Sequence, residues 1–166
     1  KGMDGLIRIF AAVHEKAPDW NLRIIGEGDE RPALEALIRE QGLSDCVTLT
    51  GKLSPEGVER EMLSASIYAS TSKSEGFMLT LVEGMSCGLA PVAYDVRVGP
   101  ALIITDSVNG YLVPDGDADG YAARLLGLIN DPELMAELSH AAVRRARDFS
   151  KENISRQWFD LLEDKE

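Results

Sequence analysis

Short apolar runs alternate along this chain with longer amphipathic segments, and a glycine or proline marks nearly every junction. Alternation on that scale leaves one architecture open: parallel strands joined by right-handed crossovers, with helices covering both faces of the sheet. Residues 3–16 carry Leu6, Ile9, Phe10 and Val13 at spacings of three and four, an amphipathic helix that stops before Pro18. Leu22–Ile25 reads as a buried strand closed by Gly26-Glu27-Gly28. Pro32 suits a first helical turn, and Leu34, Leu37 and Ile38 form the stripe of a helix running to Gly42. Residues 47–50 make a second strand stopped by Gly51, and Ser54 caps a helix through Val58, Met62 and Leu63. Three more strands are predicted at Ile67–Ser70, 91–94 and 111–113, the last behind an Asn109-Gly110 turn. A helix over 78–86 ends at Gly88 as its left-handed cap. Beyond Asp115 the pattern is helical, through 125–129, 134–138 and a last segment, 151–162, whose face of Ile154, Trp158 and Leu161 is expected to join the core.

The whole of 1–166 therefore reads as one α/β domain, a Rossmann-like doubly wound parallel sheet with helices on both faces. A chain of this length buries roughly 70% of its unfolded surface. No strand precedes the first helix, and the chain opens at Lys1-Gly2 without Met, so the expectation is a piece of a longer polypeptide with the first strand lying ahead of Lys1. Seventeen Lys+Arg against 28 Asp+Glu give a net charge of −11, which argues against nucleic acid as a partner and against unaided binding to an anionic membrane. No apolar run approaches the ~18 residues of a membrane span. Cys46 and Cys87 are too few for a disulfide framework and are expected as buried free thiols of a reducing, cytoplasmic compartment. His14 and His140 stand alone on predicted helices, so no metal site is expected. No Walker loop or GxGxxG is present; Gly26-Glu27-Gly28 is only a fragment of one.

In open parallel sheets ligands bind at the carboxyl ends of the strands, here the loops 26–31, 51–54, 71–77 and 95–100. The third, Thr71-Ser72-Lys73-Ser74-Glu75-Gly76-Phe77, leads directly into a helix. Helix N-terminal N–H groups with a glycine that admits close approach make a ready anion site. Glu75 lies in that loop and Glu83 about two turns into the helix. Carboxylates repel a phosphate, so their sensible partners there are the neutral hydroxyls of a sugar. By spacing alone the two are equally a dipole-favoured helix-start charge and a solvated helix residue.

Residues 75–83, Glu-Gly-Phe-Met-Leu-Thr-Leu-Val-Glu, followed by Gly84-Met85-Ser86-Cys87-Gly88-Leu89-Ala90-Pro91-Val92, resemble the donor-site signature of glycosyltransferase family 4, retaining enzymes built of two Rossmann-like domains in the GT-B fold. Lys1-Gly2 resembles the "KG" that opens their C-terminal half. Leu22-Arg23-Ile24-Ile25-Gly26-Glu27-Gly28 resembles their "LxIxGxG", residues 47–51 their "VxFxG", and Asn109-Gly110-Tyr111-Leu112-Val113 their "NGxLV". The resemblance spans nearly the whole chain and implies the C-terminal domain of such an enzyme, with an acceptor domain N-terminal to it; in the family the final helix often packs back across to that domain, a second reading of the Ile154, Trp158 and Leu161 face that an exposed Trp158 would favour over core. It implies that Lys1 neutralises the donor diphosphate, Glu75 holds hydroxyls of the transferred sugar near the reacting face, and Glu83 holds the ribose. It places Gly76 and the backbone of Phe77, Met78 and Leu79, with the Thr80 hydroxyl, on sugar and phosphate oxygens. It sets Lys52 and Leu53 along the base, and Gly26 as a close-approach glycine. Without the family, Lys1 is any exposed terminal lysine and Gly26 a plain turn. The implied reaction is sugar transfer from a nucleoside-diphosphate sugar, a UDP-sugar favoured, to a glycan, lipid-linked or protein hydroxyl held by the other domain. No cofactor or metal is implied, and the inner membrane face would be reached through that other domain.

Three positions depart from the pattern. Met78 stands where the family usually has a small residue, which implies a tighter backbone approach or a reshaped sugar pocket. The "GGxxE" stretch reads Arg97-Val98-Gly99-Pro100-Ala101, with Ala101 in place of the carboxylate; it is similar to the "YGP" of the subgroup that glucosylates teichoic acids and related polymers or proteins. Ala90 replaces a proline beside Pro91, a structural change only. Two other readings stay open. One is a non-catalytic nucleotide-sugar-binding partner or regulatory module of the same fold. The other is a non-hydrolysing sugar epimerase, which would need active-site His and Asp residues that these motifs do not supply.

Overall fold

The computed structural model describes residues 1–163, in which five parallel strands alternate with eight helices. Strand β1 (Leu22–Ile25) follows helix α1 (Met3–His14) and pairs with β2 (Val47–Gly51) across the intervening α2 (Arg31–Glu40). Helix α3 (Pro55–Leu63) leads to β3 (Ile67–Ser70) and α4 (Leu79–Ser86) to β4 (Ala90–Asp95). A single-turn α5 (Pro100–Ile103) precedes β5 (Tyr111–Pro114). The rest is helical: α6 (Ala118–Asn130), α7 (Pro132–Ala146), a 3-10 turn (Arg147–Phe149) and α8 (Lys151–Glu163).

The parallel strands form two ladders, β2–β1 and β3–β4–β5, as a doubly wound sheet without its first strand would. Among the described residues no strand joins β1 to β3. The 3-2-1-4-5-6 order of a doubly wound sheet assigns the place between those two edges to its first strand. Burial follows from this. Ala90 to Tyr94 of the central β4 are buried at every position, whereas β3 is only half-buried over Ile67 to Ala69.

Helix α1 joins the ladders. Its buried stripe, Leu6, Ile7, Ile9, Phe10 and Val13, belongs to one core cluster with Leu37, Ile38 and Val47 on one side and Val92, Tyr94, Val113 and Tyr121 on the other. Each such buried aliphatic side chain contributes about 1.5–3 kcal/mol relative to exposure. A second cluster lies under the other face, where Met78, Leu81 and Met85 meet Ala93, Ile103, Ile104, Ala142 and Ala146. Tyr121 ties the carboxyl end of β3 to the middle of β4. Its hydroxyl accepts from the Ser70 N–H (2.8 Å) and donates to the Val92 carbonyl (2.6 Å), and burial holds the phenol far above its ordinary pKa.

Two sequence expectations are corrected. The face of Ile154, Trp158 and Leu161 is not core: no residue of α8 is buried and Trp158 is 61% exposed. An amphipathic stripe announces a partner surface without saying which surface, and none of the described elements supplies it. Cys46 is buried but Cys87, at the carboxyl end of α4, is only half-buried. Helix α5 was not visible because four residues cannot display a helical period.

Candidate functional site

The carboxyl end of β3 runs into three buried polar residues, Ser70, Thr71 and Ser72. The Thr71 hydroxyl donates to the Gly2 carbonyl at 2.7 Å. Gly2 has φ +71°, and a Cβ there would lie 2.2 Å from the Thr71 carbonyl oxygen, so only glycine permits this seam. The seam carries Lys1 over the loop, where its Nζ donates to Glu75 Oε1 at 2.6 Å. The Glu75 side chain is 14% exposed and that of Lys1 65%. Burial alone would raise the Glu75 pKa. The hydrogen bonds from Lys1 and Ser72 and the Lys1 charge outweigh it, so the carboxyl titrates below its ordinary value.

Helix α4 starts two residues beyond the exposed Gly76 and Phe77. Its N-cap, Met78, offers no side-chain acceptor, whereas α3, α6 and α7 are capped by Ser54, Asp117 and Asp131. The start of α4 therefore has no side-chain cap; its Leu79 N–H donates to the Phe77 carbonyl (2.8 Å) and its Leu81 N–H to the Met78 carbonyl (3.0 Å). The Met78 side chain itself is 3% exposed and anchors the helix start in the second core cluster. The residue that departs from the family pattern thus points inward, away from the face that Gly76 and Leu79 expose.

Thr80 shares a hydrogen bond with the Tyr68 hydroxyl (2.8 Å), and a Cβ on Gly84 would come within 2.9 Å of the Tyr68 ring. The helix thus rides directly on Tyr68. Burial raises the Tyr68 pKa; the Thr80 hydrogen bond opposes the rise, and the charges of Glu75 and Glu83 add to it. Both carboxylates therefore lie within electrostatic reach of one phenol, with Glu83 exposed on α4. The next loop closes on the same place. Gly99, φ +109°, packs so that a Cβ would stand 3.2 Å from Glu75 Cβ and 3.5 Å from the Gly76 carbonyl oxygen.

Gly26, Lys52 and Leu53 gather at the carboxyl end of the other ladder. The Gly26 N–H donates to the Gly51 carbonyl (3.0 Å), forming an isolated bridge beyond the β1–β2 register shift. Glu27 lies over Gly51, held by Arg31 at 2.8 Å, and Arg31 also donates to the Leu49 carbonyl (3.2 Å) and pairs with Glu35 (2.9 Å). Lys52 is exposed and Leu53 packs on Gly57. The predicted residues thus form two groups at one edge of the fold: Lys1 with 75–80 and Glu83, and Gly26 with Lys52 and Leu53. Tyr68, Ser72, Gly99 and Glu27 were missed. In sequence the first reads as strand core and Gly99 as punctuation. No group of three or more His, Cys, Asp or Glu among the described residues is placed to hold a metal, and no described helix is long and apolar enough to cross a membrane.

The family profile described as "Glycosyl transferases group 1" matches residues 1–147. The chain belongs to that family. An "uncharacterized glycosyltransferase" of Haemophilus influenzae is 31% identical over 162 residues, which cover 98% of this chain and 45% of the relative. A crystal structure of a TarM variant of S. aureus, in complex with Fondaparinux, alpha-GlcNAc-glycerol and UDP, superimposes with a TM-score of 0.89 at 29% identity, covering 97% of this chain and 32% of that one. Anabaena HepE in complex with UDP gives a TM-score of 0.87 at 26% identity, over 99% of this chain and 45% of that one. This family member has the α/β fold of one half of GT-B glycosyltransferases, parallel strands flanked by helices, and it spans less than half the length of these relatives.

Proposed function

We propose that this domain binds the nucleoside-diphosphate-sugar donor of a retaining glycosyltransferase, with UDP as the nucleotide, and that the full protein transfers the sugar to a hydroxyl acceptor. The observation that carries the reading is the Lys1–Glu75 pair at the uncapped start of α4. A cation and a helix N-terminus suit a diphosphate, and a carboxylate one side chain away suits sugar hydroxyls. UDP is favoured because both TarM and HepE were crystallised with it.

In this reading the pair holds the site until donor arrives. Donor binding exchanges it for two contacts: Lys1 moves to the diphosphate, and Glu75 accepts from the sugar. A pair this exposed contributes at most about 1 kcal/mol. A hydrogen bond to a charged group is worth about 1.5–3 kcal/mol, so the exchange runs toward bound donor. The α4 N–H groups and Thr80 take the remaining phosphate and sugar oxygens, Glu83 the ribose hydroxyls, and the main chain at Lys52 and Leu53, with Gly26, the base. During transfer the bond from the anomeric carbon to the diphosphate breaks, and negative charge builds on the leaving oxygen. Lys1 and the helix N–H groups stabilise that charge better than the neutral bridge it replaces. No nucleophilic carboxylate is assigned; the acceptor hydroxyl attacks on the face the diphosphate leaves and gives its proton to the departing phosphate oxygen, so configuration is retained. No metal is assigned to the diphosphate.

The test is calorimetric titration with UDP, GDP, ADP and their glucose conjugates, with and without magnesium. UDP binding that strengthens with the sugar and ignores the metal is expected. A site that binds none of them, or needs the metal, refutes the reading.

A further inference from the structure

One side chain that plays no part in the proposed donor contacts is linked by two routes to the loop that carries Glu75. Arg145, in the last turn of α7, donates from Nε to the Ile103 carbonyl (3.1 Å) and from Nη2 to the Leu102 carbonyl (2.7 Å). It thereby satisfies the end of α5, a single turn too short to persist on its own helical hydrogen bonds. Its guanidinium also lies 4.8 Å over the Phe149 ring and is steadied by Asp148 at 2.9 Å. Phe149 meets Phe77 edge-on, with ring centroids 5.4 Å apart.

Both routes end at Glu75. Through α5 the clamp reaches Gly99, whose backbone packs on Glu75 Cβ and the Gly76 carbonyl. Through Phe149 it reaches Phe77, two residues beyond Glu75 and immediately before the Met78 anchor. We infer that Arg145 is a positioning residue for the sugar end of the site: it locks α5 and Phe149 so that the loop ahead of the Met78 anchor presents Glu75 in fixed register. The inference rests on the donor reading given above. Arginine is required because a planar fork bonds two carbonyls while its face stacks on an aromatic ring. A lysine can satisfy one of those demands at a time. The β2–β1 ladder lies outside this clamp, so contacts to the base should not depend on it.

The experiment uses the full-length protein with Arg145→Lys and Phe149→Leu, and Glu75→Gln as reference. Dissociation constants are measured for UDP, UDP-glucose and UDP-N-acetylglucosamine, and amide hydrogen exchange is followed without ligand. Arg145→Lys is expected to weaken the nucleotide sugar by about tenfold, the loss of one charge-assisted hydrogen bond, while UDP changes by less than about twofold. Exchange is expected to accelerate in 75–80 and 99–104 and to stay unchanged in β1 and β2. Equal weakening of UDP and nucleotide sugar would overturn the assignment, as would unchanged exchange in 75–80. Failure of the donor reading looks different: the wild-type protein would gain no affinity from the sugar, and the exchange rates alone would decide whether the clamp holds the loop.

Discussion

Glu75→Gln separates the two halves of the proposed donor site by opposite signs. Gln keeps the shape that packs on Gly99 but loses the charge that holds Lys1 at 2.6 Å. Free UDP no longer has to displace that ion pair, nor to sit beside a carboxylate. With Lys1 65% exposed, the relief is worth about 0.2–1 kcal/mol, so UDP should bind about 1.5- to fivefold more tightly. UDP-sugar gains the same relief but loses a charged acceptor to its hydroxyls. Replacing a charged hydrogen bond by a neutral one forfeits about 1–1.5 kcal/mol each. For two hydroxyls the net result is a loss of about fivefold to 100-fold. Calorimetry on wild type and variant with both ligands reads the two signs directly. Because the Glu75 carboxyl titrates below its usual ~4.3, the crossover should be flat between pH 6 and 8. Rising salt should shrink the UDP gain, since it screens the exposed pair. The reasoning is refuted if UDP and UDP-sugar weaken together, or if UDP-sugar is unaffected.

Three further outcomes are expected. Gly2→Ala places a side chain in left-handed backbone 2.2 Å from the Thr71 carbonyl and should destabilise the protein by at least about 1–2 kcal/mol in urea unfolding; a shift under half that would mean the seam is looser than described. Tyr121→Phe removes the hydroxyl that serves Ser70 and Val92 and should cost about 1–3 kcal/mol, with an unchanged urea midpoint counting against it. Glu61, hydrogen-bonded to Arg23, and Glu75 both titrate below the ordinary carboxylate value, so the stability they contribute is complete above pH ~4.3 and is lost as pH falls through their lower folded values. Glu61→Gln should flatten the acid limb of the stability curve, and an unaltered slope would show the pair to be worth nothing.

The legible parts of the fold were those written in local pattern. All five strands fall on short apolar runs, four of them ending in Gly, Pro or Asp and β3 running into Thr71, and Ser54 caps α3. The loop leading into α4 and the resemblance of 75–92 to the family signature pointed to the candidate site, but not to the pairing of Glu75 with Lys1, 74 residues away in sequence. Tertiary assignments were hidden for a common reason: a residue type does not announce its partner. Tyr68 looks like strand core until Gly84 brings α4 onto its ring. Met78 looked like an intrusion into a ligand surface, yet its side chain turns into the core. Arg145 reads as one more basic residue at a helix end, which the dipole favours in any case. Trp158 erred the other way, since its stripe is genuine while its cover is not among the described elements.

The division of the sheet bears on specificity. Sugar and diphosphate contacts are assigned to loops of the β3–β5 ladder, and base contacts to loops of the β1–β2 ladder, with α1 packed against both. A nucleotide sugar spanning the two is therefore read by two bodies whose spacing α1 sets. Perturbing one body should change recognition of one half of the ligand, as is expected of Arg145→Lys for the sugar. Perturbing α1 should change both. Ile7 is fully buried, and Ile7→Ala leaves a cavity costing about 2–5 kcal/mol. In variants that remain folded, UDP and UDP-sugar should then weaken by the same factor. Selective loss of the sugar contribution in Ile7→Ala would show that α1 supports only the β3–β5 side, and that the two ladders are not independently read.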